Sequence, residues 1–309
     1  MILQILAIIA GVAMLVFGGD GLVRGAVGIA ARLRMPPSLI GLTIVAMGTS
    51  MPELVVSIGA AVGGQPDLSI GNVVGSNIYN ICLILGITAM IRRLTCDLGE
   101  IRHDGAWMIG ASALFIGVAW DGLLGRLDGL LMLAAMGLFL WSAIRRNKAV
   151  APAEPDADAP APMGWPKAIG FVAGGLLLLM GGAQALIFGA TAVAAALGVP
   201  EMIIGLTVVA IGTSLPELFA SVMAAIRGES GIAISNVVGS NVFNLLFILG
   251  GTGTIHPIRV NPQVLQSDAW WMIGFAVLLV LWAGRALPVG RPFAAGLLAL
   301  SAAYTYTLV

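Results

Sequence analysis

Two stretches of this chain repeat each other, and each places a glutamate inside an apolar segment. The first reads GLTIVAMGTSMPELVVSIGAA from Gly41, then GNVVGSNIYNICLILG from Gly71 to Gly86. The second reads GLTVVAIGTSLPELFASVMAA from Gly205, then SNVVGSNVFNLLFILG to Gly250. Glu53 and Glu217 are 164 positions apart, and so are Asn80 and Asn244. A carboxylate in the middle of a membrane segment costs roughly 2.5–3.5 kcal/mol on insertion scales. A chain that bears this cost twice, in the same local setting, is expected to use both groups together.

The setting is a membrane. Hydrophobic residues make up 59% of the chain, charged residues 10%, and the mean hydropathy is +1.01. Soluble domains carry about 25% charged residues, so the chain reads as an all-α polytopic membrane protein whose partner is the lipid bilayer. The net charge of zero gives no footing for nucleic acid. Two cysteines, Cys82 and Cys96, make no disulfide framework, and Cys82 reads as a small packing residue. The apolar start MILQILAIIAGVAMLVFGG lacks a basic leader and is expected to be a retained first helix.

Ten apolar segments are long enough to cross a bilayer, placed near 2–31, 37–62, 69–91, 104–121, 127–144, 166–197, 201–226, 231–254, 268–285 and 289–307. The Ala/Pro/acidic run RRNKAVAPAEPDADAPAPMGWP from Arg145 cannot bury apolar area and is expected to be a solvated linker. The predicted division is therefore residues 1–144, a cytoplasmic linker 145–165, and residues 166–309. Five segments per half is an odd number, so the second half enters the membrane in the opposite sense. The expected fold is ten transmembrane helices arranged as two inverted five-helix repeats, with a binding site near the midplane.

Charge placement gives the orientation. With the N-terminus outside, the cytoplasmic loops hold Arg32, Arg34, Arg92, Arg93, Arg102, Arg145, Arg146, Lys148, Lys167, Arg227, Arg285 and Arg291, against Arg126 and Arg259 outside. This positive-inside bias also puts the C-terminus outside. Trp107, Trp120, Trp141, Trp165, Trp270 and Trp271 fall near segment ends, as interfacial anchors do. Asp20 and Arg24 form an i, i+4 pair whose repeat equivalents are Gln184 and Phe188; it reads as structural.

Pro52 and Pro216 each precede a glutamate. A proline displaces the carbonyl four residues back, here Gly48 and Gly212, and carbonyls freed in a membrane must face protein, water or an ion. Thr49 shares a helical face with Glu53, and Ser50 lies three residues from it. Asn72, Ser76 and Asn80 form a stripe at four-residue spacing. The second half repeats the set with Thr213, Ser214, Glu217, Asn236, Ser240 and Asn244. Asn77 and Asn241 lie one position off the stripe and are expected to bond between helices. The donors are all oxygens, which suits hard cations. Two carboxylates match one divalent ion or can be shared by two or three monovalent ions. An empty site with two bare charges in low dielectric is unfavourable, which favours exchange over leak.

At GTSMPE (48–53), GTSLPE (212–217) and the two GSN-x-x-N motifs (75–80 and 239–244) the chain resembles the cation/calcium antiporter family, which includes the sodium/calcium exchangers. The resemblance covers essentially the whole chain. It implies that Glu53 and Glu217 share a Ca²⁺ ion with help from the backbone carbonyls of Thr49 and Thr213. It implies Na⁺ sites around Ala46, Thr49, Ser50, Glu53 and Ser76, and symmetrically around Ala210, Thr213, Ser214, Glu217 and Ser240. Asn80 and Asn244 would line the middle, and the first and sixth helices would slide as the gate. Family members often carry Asp at one of the two central positions, where this chain has Asn at both. A GNATE-like motif of the proton-coupled branch is missing. The expectation is a Ca²⁺/Na⁺ antiporter of the prokaryotic plasma membrane, with no cofactor. Coupling to protons or K⁺, another divalent ion such as Mg²⁺ or Mn²⁺, and a cation channel remain as alternatives. An enzyme is disfavoured, since the chain has no HExxH motif. Oligomeric state is not legible.

Overall fold

The computed structural model describes residues 2–95, 98–149, 163–198, 210–285 and 287–307. Cys96 and part of the predicted seventh segment lie outside these residues. Within them the chain is helical: α1 (Ile2–Leu33), α2 (Pro37–Thr49), α3 (Met51–Val62), α4 (Pro66–Ile91), α5 (Leu98–Val118), α6 (Arg126–Ala149), α7 (Trp165–Ala196), α8 (Ala210–Thr213), α9 (Leu215–Arg227), α10 (Ser230–Ile255), α11 (Val264–Ala283) and α12 (Arg291–Thr307). Six of these helices are long and apolar enough to span a membrane: α1, α4, α6, α7, α10 and α11. The bent pair α2–α3 makes a seventh. Helix α5 starts at Leu98, earlier than the predicted 104, so its first turns carry the charges Glu100, Arg102 and Asp104.

Helices α4 and α10 are the centre. Their most apolar stretches are 67% and 94% buried, against 22% for α1 and 28% for α7. Polar residues inside α10 therefore face protein rather than lipid, which is where a membrane helix tolerates them. Both central helices contain a widened π-type turn, Asn80–Leu85 in α4 and Asn244–Leu249 in α10. Such turns cluster at functional positions. Here each one starts at the last asparagine of its stripe.

Helices α1 and α7 each have 32 residues, about 48 Å at 1.5 Å per residue. That exceeds the roughly 30 Å hydrocarbon core, so the pair must tilt. They run antiparallel along a seam of glycines. A Cβ on Gly11 would lie 2.8 Å from the Gly182 carbonyl oxygen, and one on Gly18 would lie 2.8 Å from the Leu179 nitrogen. Only hydrogen fits there, which lets two backbones approach as small residues do in membrane helix pairs.

The predicted linker starts too early. Residues 145–149 continue α6, and the basic Arg145 and Arg146 suit a helix C-terminal end. Arg146 bonds the Gly99 carbonyl and pairs with buried Asp104, and Arg145 lies over the Trp141 ring. Trp165 begins α7, ahead of Pro166 in its first turn. Two short connections tie the chain ends of the bundle together: β1 (Leu123–Leu124) pairs antiparallel with β2 (Ile258–Arg259), and Leu94 bridges Val289. Of the predicted anchors, Trp107 and Trp271 are partly buried against aromatic neighbours, Phe139 and Phe275. Trp120, Trp141, Trp165 and Trp270 are exposed.

Candidate ion-binding site

The two glutamates sit where helices break. Ser50, between α2 and α3, has φ −82° and ψ 6°, and the axes on either side differ by 42°. Ser214, between α8 and α9, has φ −91° and ψ 7°. Pro52 and Pro216 occupy the first turns of the helices that follow. At that position the missing N–H costs nothing. The break therefore centres on the serine rather than on Gly48 or Gly212, and each glutamate lies in a helical first turn, where the backbone dipole favours negative charge.

This break changes which residues meet. In a continuous helix the Ser50 hydroxyl would neighbour Glu53. With the backbone turned at Ser50, it donates instead to Oε1 of Glu217 in the other half, at 3.0 Å. The Ser214 hydroxyl returns the contact to Oε1 of Glu53, at 3.2 Å. Each carboxylate is thus held by a serine of the opposite half, and both glutamates are 1% exposed.

The other sequence-predicted residues gather around them. Thr49, Ser50, Ser76, Asn80, Thr213, Ser214, Ser240, Asn244 and Ala46 are all buried. The Ser76 and Ser214 hydroxyls are 3.3 Å apart. The Thr49 hydroxyl is 3.3 Å from the Ala46 carbonyl and 3.4 Å from Asn236 Oδ1. Ala210 begins α8, and its side chain lies outside the described residues. Asn77 and Asn241 bond between helices, each amide donating to the other's backbone carbonyl, at 3.0 and 3.1 Å.

Asn72 and Asn236, read from sequence as part of the polar stripe, serve as braces. Asn72 Nδ2 donates to the Glu53 carbonyl (3.2 Å) and to the Ser57 hydroxyl (2.9 Å). Asn236 Nδ2 donates to the Glu217 carbonyl (3.3 Å) and to the Ser221 hydroxyl (2.9 Å). Ser57 and Ser221 were missed in the sequence, although each lies four residues after its glutamate, on the same helical face.

Most buried polar atoms find partners. Five site atoms have none among the described residues: Glu53 Oε2, Glu217 Oε2, Asn80 Oδ1, Asn244 Oδ1 and Ser240 Oγ. Four of the five form two repeat-related pairs, and none of them is a nitrogen. Among the described residues no group of three or more His, Cys, Asp or Glu occurs. The charge available to a cation is therefore that of two carboxylates, supplemented by neutral oxygens.

The sequence pattern of the family described as "Sodium/calcium exchanger protein" matches this chain twice, over residues 3–145 and 167–309. The chain belongs to that family. The two matches are themselves offset by 164 positions at both ends, the spacing of the doubled motif. Over 324 residues the chain is 30% identical to "Sodium/calcium exchanger MaX1" of Methanosarcina acetivorans, covering 93% of each. Over 295 residues it is 33% identical to "Inner membrane protein YrbG" of Escherichia coli K12, covering 93% of this chain and 91% of that one. The solved sodium-calcium exchanger NCX_Mj superposes with a TM-score of 0.88 at 28% identity, covering 100% of this chain and 99% of that one. This protein is an integral membrane protein of a cation antiporter family.

Proposed function

We propose that the chain expels Ca²⁺ in exchange for Na⁺ across a prokaryotic plasma membrane, by alternating access around the Glu53–Glu217 site. In this reading residues 1–144 and 166–309 are two five-helix repeats inverted about the membrane plane. They make ten spans in all, joined by a cytoplasmic linker, with both termini outside. Arginines at one end of the bundle support that orientation. Arg32, Arg92 and Arg291 donate to the carbonyls of Met163, Ile226 and Met90, and Arg227 pairs with Asp20.

The single observation that carries the proposal is the set of buried, unpartnered oxygens on Glu53, Glu217, Asn80 and Asn244. Leaving a buried acceptor unmade costs about 1–3 kcal/mol, more for a charged group. A hard cation with oxygen ligands offsets that cost. Glu53 and Glu217 bind by charge. Asn80 and Asn244 supply dipoles, and Thr49, Thr213, Ser50, Ser214, Ser76, Ser240, Ala46 and Ala210 supply hydroxyl or backbone oxygens at the rim. One Ca²⁺ neutralises the two carboxylates, and so do Na⁺ ions shared between them. Either load lets the site pass the membrane midplane with little net charge, whereas the unloaded site carries two buried negative charges and does not reorient. Exchange is then obligatory.

The test is ⁴⁵Ca²⁺ flux in proteoliposomes under an imposed Na⁺, K⁺ or proton gradient. The expected result is Ca²⁺ movement driven by the Na⁺ gradient alone. Movement driven only by protons or only by K⁺ would replace the coupling ion. Ca²⁺ uptake with no counter-ion on the far side would point to a channel and end the exchange reading.

A further inference from the structure

Asn77 and Asn241 have no place in the ion shell, yet they fix the orientation of the two asparagines that do. The Asn77 carbonyl can only accept, so the end of the Asn241 amide that faces it, at 3.1 Å, is Nδ2. The other end of that amide is then Oδ1, which must meet a donor. It meets Asn80 Nδ2 at 2.9 Å. With its NH₂ consumed there, Asn80 presents Oδ1 on its free side, and that oxygen is buried without a partner. The mirror path runs from the Asn241 carbonyl through Asn77 Nδ2 (3.0 Å) and Asn77 Oδ1 to Asn244 Nδ2 (2.9 Å). It leaves Asn244 Oδ1 unpartnered in the same way. All four side chains are at most 1% exposed, so water does not compete for these bonds.

We propose that Asn77 and Asn241 are positioning residues that hold Asn80 and Asn244 with their carbonyl oxygens, not their NH₂ groups, toward the transported cation. This rests on the reading of Glu53 and Glu217 as the cation site. An asparagine amide has two nearly isosteric ends, one attractive to a cation and one repulsive. Nothing in Asn80 or Asn244 alone selects between them. The brace does, because it is anchored on two backbone carbonyls that have no second orientation. Groups that orient metal ligands typically change affinity by 10–100-fold when lost.

The experiment is a double-mutant cycle read as Ca²⁺ half-saturation and maximal rate of Na⁺-driven ⁴⁵Ca²⁺ flux, with monodispersity in detergent as the folding check. Asn77→Leu removes the acceptor that holds Asn244 and is expected to raise half-saturation about 10–100-fold, with a much smaller change in maximal rate. Asn77→Ala serves where the leucine variant is not monodisperse. Asn77→Asp keeps an acceptor for Asn244 and should shift half-saturation less than either. In an Asn244→Asp background the ionised side chain has an acceptor oxygen at both ends and no donor to present, so at a pH where it is ionised adding Asn77→Leu should change half-saturation by no more than about threefold, within ordinary additivity error. An equal loss in both backgrounds would mean that Asn77 acts through packing and would overturn the proposal. Glu53→Gln is the separating control. If it exchanges like wild type, the site reading itself fails. If it is inactive while Asn77→Leu keeps wild-type half-saturation, only the brace fails.

Discussion

The surroundings of the two glutamates and the contact of α1 with the end of α9 follow different rules. Around the glutamates three braces come in repeat-related pairs: Ser50 on Glu217 and Ser214 on Glu53, Asn72 on Ser57 and Asn236 on Ser221, Asn80 on Asn241 and Asn244 on Asn77. Where α1 meets the end of α9, Asp20 pairs with Arg24 and with Arg227, and the repeat cannot reproduce this pair, because the equivalents of Asp20 and Arg24 are Gln184 and Phe188. On the proposed reading of two inverted repeats working by alternating access, the difference is instructive. A contact that exists in both halves serves both orientations of the transporter alike, so it sets affinity. A contact that exists in one half favours one orientation, so it sets the balance between states.

The largest effect tests the symmetric region as a unit. Glu53→Gln and Glu217→Gln should each lower Ca²⁺ exchange at least about 100-fold, and the double variant should be no worse than either, since groups that act together are strongly non-additive. The measurement is initial ⁴⁵Ca²⁺ flux at fixed protein density in the vesicles. Additive losses, or one variant with wild-type flux, would separate the two glutamates and break the symmetry argument.

The serine contacts come next. Ser50→Ala and Ser214→Ala each remove a hydrogen bond to a buried carboxylate. Such bonds contribute about 1.5–3 kcal/mol, so Ca²⁺ half-saturation should change by about tenfold or more. The two variants sharpen the comparison, because the structure is not perfectly paired here. The Ser214 hydroxyl lies near both Glu53 and Ser76, whereas the Ser240 hydroxyl has no partner among the described residues. Ser214→Ala should therefore be the more severe of the two. Equal effects would show that the Ser76 contact adds nothing.

Much of this arrangement was readable from residue order, and the failures have a common origin. The doubled motif and its all-oxygen donor set are legible in residue order alone. Thr49, Asn80 and Asn244, singled out by their helical spacing, are buried. Helical spacing failed at Ser50 and Ser214, because the break there redirects each hydroxyl from its own glutamate to the opposite one. Periodicity describes a helix and is silent about what happens where one ends. It failed again for Asn77 and Asn241 in a subtler way. Their bonding between helices was legible, but the selection of one amide end in Asn80 and Asn244 depends on two backbone carbonyls brought together only by folding. The early start of α5 and the late end of α6 are a third case. Charged residues that read as loop are stabilised in helix by Arg146 meeting Asp104 and Gly99.

The smallest predicted effect lies in the unpaired region. The side chains of Asp20, Arg24 and Arg227 are 22%, 48% and 32% exposed, and a pair this open, if it faces water, is worth no more than about 1 kcal/mol. That corresponds to about a fivefold shift between two orientations. Arg227 ends α9, whose first turn carries Glu217, and α1 packs along α7 through the glycine seam. A large movement of α1 against α9 would separate Asp20 from Arg227. Asp20→Asn should therefore shift the ratio of Ca²⁺ half-saturation measured from the two faces, in right-side-out against inside-out vesicles, by at most about fivefold, while leaving the maximal rate of the loaded exchanger near wild type. Screening should mimic the mutation. In high choline chloride, where the Debye length falls to about 3 Å at 1 M, wild type and Asp20→Asn should converge on one ratio. If instead the two proteins differ as much at 1 M salt as at low salt, the pair acts through packing of its side chains and not through charge, and the contrast between the paired surroundings of the glutamates and the unpaired contact at the end of α9 loses its electrostatic basis.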